Sequence, residues 1–278
     1  MIAAIDFAVA NRVYLGISVI NLSLGHPVFE PAATDPLVQA VERASAAGIV
    51  VVVAAGNQGI NPQTHQVGSA GINSPANAPS ALTVGATLTR GTVDRRDDDI
   101  APFSSRGPTW HDGRAKPDFL APGESVVAIS RTDTKLYKNL KLRATIAPYL
   151  SLSGTSMATA VATSVVAMMI EANRVDEGWR KRLTPNTLKA LLQFSAIPVR
   201  LSASGIPTQL EQGAGAINAG GATTLAKAVE PSAAPGASWM EFSVLPSTTI
   251  GVVAYPWAQQ IVWGDQVVWG DGLISHVW

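Results

Sequence analysis

The stretch Ser153-Gly154-Thr155-Ser156-Met157-Ala158-Thr159 decides the interpretation of this chain. An extended run from Tyr149 to Leu152 precedes it, and a long apolar run from Val161 to Ala172 follows it. This order predicts a glycine-containing turn that delivers Ser156 to the first turn of a helix. The free N–H groups at a helix start favour developing negative charge, so Ser156 is a candidate nucleophile. The alternative is an ordinary helix cap, because Ser and Thr often precede apolar runs in that role.

Four more motifs come before this stretch in a fixed order. They are Val19-Ile20-Asn21-Leu22-Ser23-Leu24-Gly25, Val53-Ala54-Ala55-Gly56-Asn57-Gln58-Gly59, Phe103-Ser104-Ser105-Arg106-Gly107-Pro108 and Lys116-Pro117-Asp118-Phe119-Leu120-Ala121-Pro122-Gly123. With Gly154-Thr155-Ser156-Met157-Ala158, they resemble the subtilisin-like serine peptidases (subtilases) over roughly residues 2–229. The resemblance implies that Ser156 is the nucleophile and that Asn57 supplies the oxyanion-hole side chain. It also implies two substrate-binding walls, formed by Ser23, Leu24 and Gly25 and by Ala54, Ala55 and Gly56.

The N-terminus departs from the pattern of that family. Subtilases carry their catalytic Asp and His earlier in the chain than the strand that matches residues 19–25. Only residues 1–18 precede that strand here, and they contain no His. We therefore expect a subtilisin-like domain without the N-terminal portion that carries the catalytic Asp and His. A second departure is Ala160, where the family commonly has Pro.

The base that would activate Ser156 is left open by the sequence. His26 directly follows the first substrate-binding wall, His65 lies in the polar loop after Asn57, and His111 lies in a later loop. Each is a candidate general base, and for each the alternative is a histidine in a surface loop. The remaining histidine, His276, lies near the C-terminus. Position in the sequence assigns the role to none of them.

Composition limits the class of protein. The 278 residues are 47% hydrophobic, which is enough for one sizeable domain and an appendage. Twenty basic and twenty acidic residues give no net charge, so nothing indicates nucleic acid or an anionic membrane as a partner. The absence of cysteine excludes disulfides and thiol catalysis. We expect no membrane span, because no uninterrupted apolar run reaches membrane length; we recognise no signal peptide and assign no cellular location.

Apolar periodicity predicts the architecture. Val13–Leu24 and Ile49–Ala55 are predicted as buried strands, and Asp35-Pro36 starts a helix between them that ends at Gly48. A strand, a helix and a strand with short connections predict an α/β fold with a parallel sheet and helices on both faces. Further predicted elements are helices over Ile2–Asn11 and Thr187–Phe194, and strands over Ala81–Ala86 and Ser125–Ser130.

The segment Thr89–Ile100 is rich in charge and is predicted as a solvated loop. Its three consecutive acids, Asp97, Asp98 and Asp99, are candidate ligands for Ca²⁺. One side of one loop rarely supplies six or more oxygen ligands. The expectation is therefore no resident metal or cofactor, with Ca²⁺ as the alternative.

The C-terminus has a composition of its own. Residues 1–229 are predicted as the subtilase-like domain, residues 230–236 as a linker and residues 237–278 as a tail. Trp257, Trp263 and Trp269 recur every six residues, and Ile261–Asp265 is nearly repeated as Val267–Asp271. An even period places side chains on one face of an extended chain, so we predict β-hairpins or edge strands. The alternative is a disordered remnant.

The expected reaction is hydrolysis of an ester or a peptide. An ester with a good leaving group needs less help from an acid than a peptide does, so ester hydrolysis is the expected activity of this chain. Two alternatives stay open: an inactive binding module, and one half of a split peptidase that receives Asp and His from another chain. An uncovered sheet edge and zero net charge also predict a homo-oligomer, or strand addition by the tail of the same or a neighbouring chain.

Overall fold

A five-stranded sheet lies at the centre of the structure. The computed structural model describes residues 1–61, 63–140, 146–174, 183–199, 205, 207–230, 233–234, 237–263 and 266–269. The strands of the sheet are β1 (Val19–Leu22), β2 (Val50–Ala54), β3 (Leu82–Leu88), β4 (Asp99–Ile100) and β5 (Phe119–Pro122). β2 lies between β1 and β3, and β3 pairs with β5, all in parallel, while β4 pairs antiparallel with the end of β3. Within the described residues, β1 is an edge strand.

Helices cover both faces of this sheet. They are α1 (Ile2–Asn11), α2 (Pro36–Ala46), α3 (Lys135–Leu140), α4 (Thr155–Arg174), α5 (Pro185–Phe194), α6 (Gln209–Gln212) and α7 (Ala219–Ala228). Val50 and Val52 of β2 pack in one apolar cluster with α4 and α7, whereas Val51 and Val53 pack in a second cluster with α1 and α2. Successive strand side chains point to opposite faces, so β2 is buried on both sides. The predicted α/β architecture is confirmed.

The helix α4, which carries Ser156 in its first turn, is the core helix of the fold. An 18-residue stretch of it has a mean hydropathy of 1.4, and among the described residues it is the helix that is long and apolar enough, by length and composition only, to cross a membrane. The expectation that no uninterrupted apolar span reaches that length stays a prediction, because the test concerns length and composition alone. α4 packs across β1, β2, β3 and β5 and against α7, with Ala158, Ala162 and Met169 buried. A core helix passes the same test, and this packing accounts for its apolar side chains.

Two segments differ from their predicted structure. The strand predicted over Val13–Leu24 is confined to β1, because residues 13–16 form a turn in which Gly16 has a φ of 65°. Val13 and Tyr14 are consequently 84% and 89% exposed. The charged segment 89–100 was predicted to be solvated, yet Asp98 is only 1% exposed. Burial raises the pKa of the Asp98 carboxyl to about 6.

An antiparallel pair of short strands, β6 (Val126–Ile129) and β7 (Tyr149–Leu152), lies outside the main sheet. We call β6, β7 and the described residues between them (130–140 and 146–148) the arm; α3 is part of it. Two hydrogen bonds fix its base. The Ser125 N–H donates to Ser153 Oγ at 2.9 Å, and the Gly154 N–H donates to the Gly123 carbonyl at 2.8 Å. The arm therefore leads directly into the first turn of α4.

The C-terminal residues form two more antiparallel pairs, β8 (Ser247–Ile250) with β9 (Val253–Pro256) and β10 (Gln260–Trp263) with β11 (Gln266–Trp269). Trp257 is 5% exposed, packs edge-on against Phe194 of α5, and donates from Nε1 to Thr248 Oγ1 at 2.8 Å. Ile261 is buried against Ala190, also on α5. Trp257 and Ile261 thus pack on α5, and β10 contacts α5 rather than extending the sheet at β1.

Part of the predicted tail lies outside the described residues. This holds for Gly264, Asp265 and residues 270–278, for residues 231–232 and 235–236 of the predicted linker, and for the side chains of Trp263 and Trp269. The shared face of the tryptophans and the division of the chain after residues 229 and 236 therefore stay predictions.

Candidate active site

Ser156 lies in the first turn of α4, as predicted. The Gly154 carbonyl accepts from the N–H groups of Met157 and Ala158, which closes that turn. The Thr155 N–H donates to Asn57, so the Ser156 N–H is the first-turn donor for which the described residues supply no acceptor. An N–H in this position is free by geometry, because a helix start has no preceding turn to bind it. Ser156 is half-buried, so its side chain is partly accessible to solvent.

Asn57 is held beside this turn by its amide oxygen. Oδ1 accepts from the Thr155 N–H at 2.9 Å and from Thr155 Oγ1 at 3.1 Å. A backbone N–H can only donate, so the atom facing it is the oxygen and the Nδ2 group is left to donate elsewhere. Asn57 is exposed, and the turn that presents it contains Gly56 at a φ of 116°. A Cβ at Gly56 would come within 2.8 Å of Ser105 Oγ, so glycine is required there.

The Ser156 side chain is paired with Ser23, which follows β1. Ser156 Oγ donates to the Ser23 carbonyl at 3.0 Å, and Ser23 Oγ donates to the Ser156 carbonyl at 2.8 Å. Asn21 Nδ2 donates to Ser23 Oγ at 3.0 Å, and Thr163 Oγ1 donates to Asn21 Oδ1 at 2.9 Å. A peptide carbonyl cannot take a proton at neutral pH, so this geometry holds the hydroxyl in place but does not activate it.

The two predicted substrate walls lie at the ends of neighbouring parallel strands. Ser23, Leu24 and Gly25 follow β1, and Ala54, Ala55 and Gly56 end β2 or follow it. The structure therefore brings both walls to the edge of the sheet where Ser156 lies. Leu24 and Gly25 are exposed, whereas Ala54, Ala55 and Gly56 are buried beneath Asn57. Only the first wall presents side chains to solvent, and substrate binding by either wall stays a prediction.

None of the candidate histidines bonds to Ser156 within the described part of the chain. His26 Nδ1 lies 2.7 Å from the Pro27 carbonyl, and its ring stacks on Phe29. The His111 ring packs edge-on against Trp110. His65 lies in a loop, and its own backbone φ is 58°. The role of general base stays a hypothesis for each of the three histidines. His276 lies outside the described residues.

Sequence reasoning missed the residues that support Asn57 and Ser156. Ser105 Oγ accepts from the Gln58 N–H at 3.0 Å, and the Ser105 N–H donates to the Gly56 carbonyl at 3.0 Å. Ser105 thus holds the turn that presents Asn57, as Thr155 holds the Asn57 amide. Ser105 and Thr155 each lie within one of the five motifs that resemble the subtilases, and that position was the signal available in the sequence. Asn21 likewise lies in a quoted motif, but its contact with Thr163 joins residues 142 positions apart.

The acidic loop pairs its carboxylates with arginines. Asp94 bonds Arg96 and the Tyr255 hydroxyl, and hydrogen bonds from Arg96 hold the pKa of Asp94 well below its ordinary value. Asp98 lies 3.3 Å from Arg95, and Asp99 lies 3.6 Å from Arg90. Among the described residues, no group of three or more His, Cys, Asp or Glu side chains is arranged to hold a metal ion. Ca²⁺ binding at Asp97–Asp99 stays a prediction.

A family model and individual relatives both identify the family of this chain. The model of the subtilase family (peptidase S8) matches residues 1–229. The chain is 38% identical over 179 residues to the serine protease AprX of Bacillus subtilis (strain 168), which is 64% of this chain and 37% of AprX. It is 34% identical over 170 residues to subtilisin DY of Bacillus licheniformis, covering 61% of this chain and 47% of that protein. The chain thus spans less than half of the length of these relatives.

Solved structures agree on the fold. The patellamide maturation protease PatA is similar at a TM-score of 0.55 and 28% identity, with 80% of this chain and 68% of that chain covered. Sphericase is similar at a TM-score of 0.57 and 23% identity, with coverage of 78% and 62%. The second likeness concerns the fold alone.

Proposed function

Because the chain belongs to the subtilase family, we propose that it is a serine hydrolase in which Ser156 attacks an acyl carbon and Asn57 stabilises the oxyanion. Its scaffold is that of the subtilisin-like serine proteases. The observation that carries the proposal is the anchoring of Asn57 Oδ1 by the Thr155 N–H at 2.9 Å. This contact leaves Asn57 Nδ2 and the Ser156 N–H as two donors beside one nucleophilic oxygen, which is the requirement of an oxyanion hole.

The reaction proceeds in two acyl transfers. Ser156 Oγ forms a bond to the acyl carbon, its proton passes to hydroxide or water, and the carbonyl oxygen becomes an oxyanion facing the two donors. The bond to the leaving group then breaks, and the leaving group departs as an alkoxide or a phenolate, or as an amine once its nitrogen has taken a proton from water. Water attacks the acyl-Ser156 ester in the same way, which releases the acid and restores the hydroxyl.

Esters are the favoured substrates of this chain because its described residues offer Ser156 a carbonyl and no base. Subtilases that lose a triad residue keep about 10³ to 10⁴ of acceleration from the oxyanion hole and binding alone. A phenolate or short alkoxide leaves without a proton, whereas an amine needs one from a protonated base. We therefore assign to this chain the hydrolysis of activated or short-chain esters in preference to peptides.

The test is hydrolysis of p-nitrophenyl acetate and butyrate by the intact chain. Ser156→Ala should remove the protein-dependent rate. Ser164→Ala is the matched control, because Ser164 is an exposed serine of the same helix that bonds only the Ala160 carbonyl among described residues. Equal activity in the wild-type chain and Ser156→Ala would reject Ser156 as the nucleophile.

A second candidate function is one half of a split peptidase. It is favoured by the position of β1, which is an edge strand among the described residues. Ser23, the residue after β1, accepts a hydrogen bond from Ser156 Oγ at its carbonyl. A strand from another chain that paired with β1 would end beside Ser156 and could carry the missing base. Adding a subtilase fragment that bears the Asp and the His should then raise peptide cleavage. Unchanged cleavage with retained peptide binding would instead favour an inactive binding module.

A further inference from the structure

The arm presents an apolar face to solvent beside Ser156. In its register, Ile129 lies opposite Tyr149 and Val127 lies opposite Ser151. Residues directly opposite each other, and residues two apart along a strand, share a face. Val127, Ile129 and Tyr149 therefore lie on one face, and they are 52%, 73% and 44% exposed. On the other face, Leu150 is 2% exposed, whereas Ala128 opposite it is exposed.

The arm is also basic. Residues 131–140 contain three basic residues and one acidic residue, in a chain without net charge. Arg131 pairs with that acid, Asp133, at 2.6 Å. Lys135 and Lys138 are exposed on α3, three positions apart and hence on neighbouring parts of its surface. Neither lysine has an acidic partner among the described residues, so the positive charge of α3 is available to a ligand.

The position of the arm indicates what it meets. β7 ends at Leu152, four positions before Ser156, and the base of the arm is tied to Gly123 and Ser153. Any polypeptide whose acyl carbon reached Ser156 would pass close to this base. Exposed apolar side chains that form a contiguous patch commonly mark a binding surface. A six-residue helix with two lysines is much smaller than the amphipathic helices that hold proteins on membranes.

We propose that the exposed apolar side chains of the arm, Val127, Ile129, Tyr149 and Leu136, together with the two lysines of α3, Lys135 and Lys138, form a docking surface for polypeptides that carry apolar and acidic side chains. The identity of this occupant as a substrate rests on the second candidate function, the split peptidase, because the chain by itself is assigned esters in preference to peptides. Apolar side chains of the peptide pack on Ile129 and Tyr149, and its carboxylates meet the two lysines. The arm thus selects among the polypeptides that can reach Ser156.

The experiment measures peptide binding by the Ser156→Ala chain, which removes the nucleophile. Fluorescence anisotropy is followed for a short dye-labelled peptide of glutamate and leucine, for the same peptide with glutamine in place of glutamate, and for one with lysine there. We expect the glutamate peptide to bind most tightly and its advantage to fade at high salt. Lys135→Gln with Lys138→Gln should weaken it about two- to fivefold and leave the glutamine peptide unchanged.

Two variants separate the contributions. Ile129→Thr should weaken the glutamate and glutamine peptides alike, by about threefold, because it removes exposed apolar surface. Lys227→Gln on α7 removes a lysine charge far from the arm in sequence and should change no Kd. Equal affinity for all three peptides, or no effect of the lysine variants, would overturn the proposal. So would binding to phosphatidylserine vesicles without binding to the peptides.

These results are separable from the proposed function. Peptide selection by the arm with no ester hydrolysis by the unaltered chain would reject the hydrolase and leave the docking surface in place. Ester hydrolysis without peptide selection would do the reverse.

Discussion

In the proposed reaction, the amide of Asn57 donates to the oxyanion, which gives a prediction for a single residue. Asn57→Ala removes the Nδ2 donor, and we expect kcat for p-nitrophenyl butyrate to fall by about 10² to 10³ with KM nearly unchanged. The reason is that an oxyanion exists only during the reaction, so its donor contributes little to ground-state binding. Steady-state kinetics of the variant and the wild-type chain make the measurement.

Asn57→Asp is the matched control for this prediction. A carboxylate keeps an acceptor for the Thr155 N–H, which Asn57 Oδ1 bonds at 2.9 Å, but it cannot donate. Its kcat should therefore fall at least as far as that of Asn57→Ala. A change confined to KM in both variants would make Asn57 a residue of ground-state binding.

The pH profile reports whether a histidine acts as base. Ser156 bonds the Ser23 carbonyl, and none of His26, His65 and His111 bonds it in the described chain. We expect the Ser156-dependent rate, taken as the difference from Ser156→Ala, to rise about tenfold per pH unit with hydroxide. Replacing each of the three histidines by asparagine should leave that profile unchanged. An inflection that one replacement abolishes would identify that histidine as the base and contradict this expectation.

Residues of this site could be predicted from sequence only where a motif marks them. Ser156 and Asn57 follow a strand-like run or a glycine turn, and the structure brings them together as expected. The partners that orient them could not be predicted, because Thr155 meets Asn57 across 98 positions and Ser105 meets Gln58 across 47. Such contacts depend on the order of strands in the sheet, which local pattern does not specify.

At the scale of elements, local signals worked best where they act within one turn. Asp35 Oδ1 accepts from the Leu37 and Val38 N–H groups, and α2 begins at Pro36 as the capping pattern predicts. α1 also has its predicted bounds. The apolar run Val13–Leu24 predicts one strand, whereas the structure has a turn at Gly16, which apolar periodicity alone cannot detect. The strand β5 was not predicted, since Pro117 and Pro122 enclose a run too short to stand out.

A buried charge cluster under the sheet gives a prediction at this scale. Asp118 precedes β5 and lies 2.8 Å from Lys116 Nζ and 2.9 Å from Lys189 Nζ, and all three side chains are buried. Burial lowers the pKa of Lys116 from 10.5 to about 7, against the attraction of Asp118 and with the repulsion of Lys189. Lys116 Nζ also donates to the Ala81 carbonyl at 2.9 Å.

The sign of the resulting pH dependence follows from proton binding. The unfolded chain keeps Lys116 protonated up to a higher pH than the folded chain does, so stability rises between about pH 7 and 10. The slope from this group is at most about 1.4 kcal/mol per pH unit. The free energy of unfolding of the wild-type chain and of Lys116→Met, measured with urea at a series of pH values, should differ in its slope against pH by the contribution of Lys116. Parallel slopes in the two chains would show that Lys116 keeps its charge when buried.

At the scale of the whole molecule, the open edge of β1 predicts self-association. Within the described residues β1 pairs only with β2, and the described part of the tail packs on α5 instead of covering this edge. An uncovered strand and a chain without net charge favour joining of two copies, or strand addition by a neighbour. Light scattering of the intact chain should therefore show dimers or larger species.

A version of the chain that ends at Pro235 tests the tail separately. It lacks Trp257 and Ile261, which are buried on α5, so apolar surface around Phe194 becomes exposed and aggregation should increase. Monomers in both preparations would contradict the predicted self-association.

Reaction with a fluorophosphonate probe tests the claim that Ser156 of this subtilase scaffold is a working nucleophile. Such a probe bonds covalently to a serine whose oxygen attacks phosphorus while donors stabilise the developing charge. The intact chain, incubated alone and mapped by peptide mass spectrometry, should carry the label at Ser156, with much slower labelling in Asn57→Ala. An unlabelled Ser156, or a label spread over other exposed serines at the same rate, would contradict the claim.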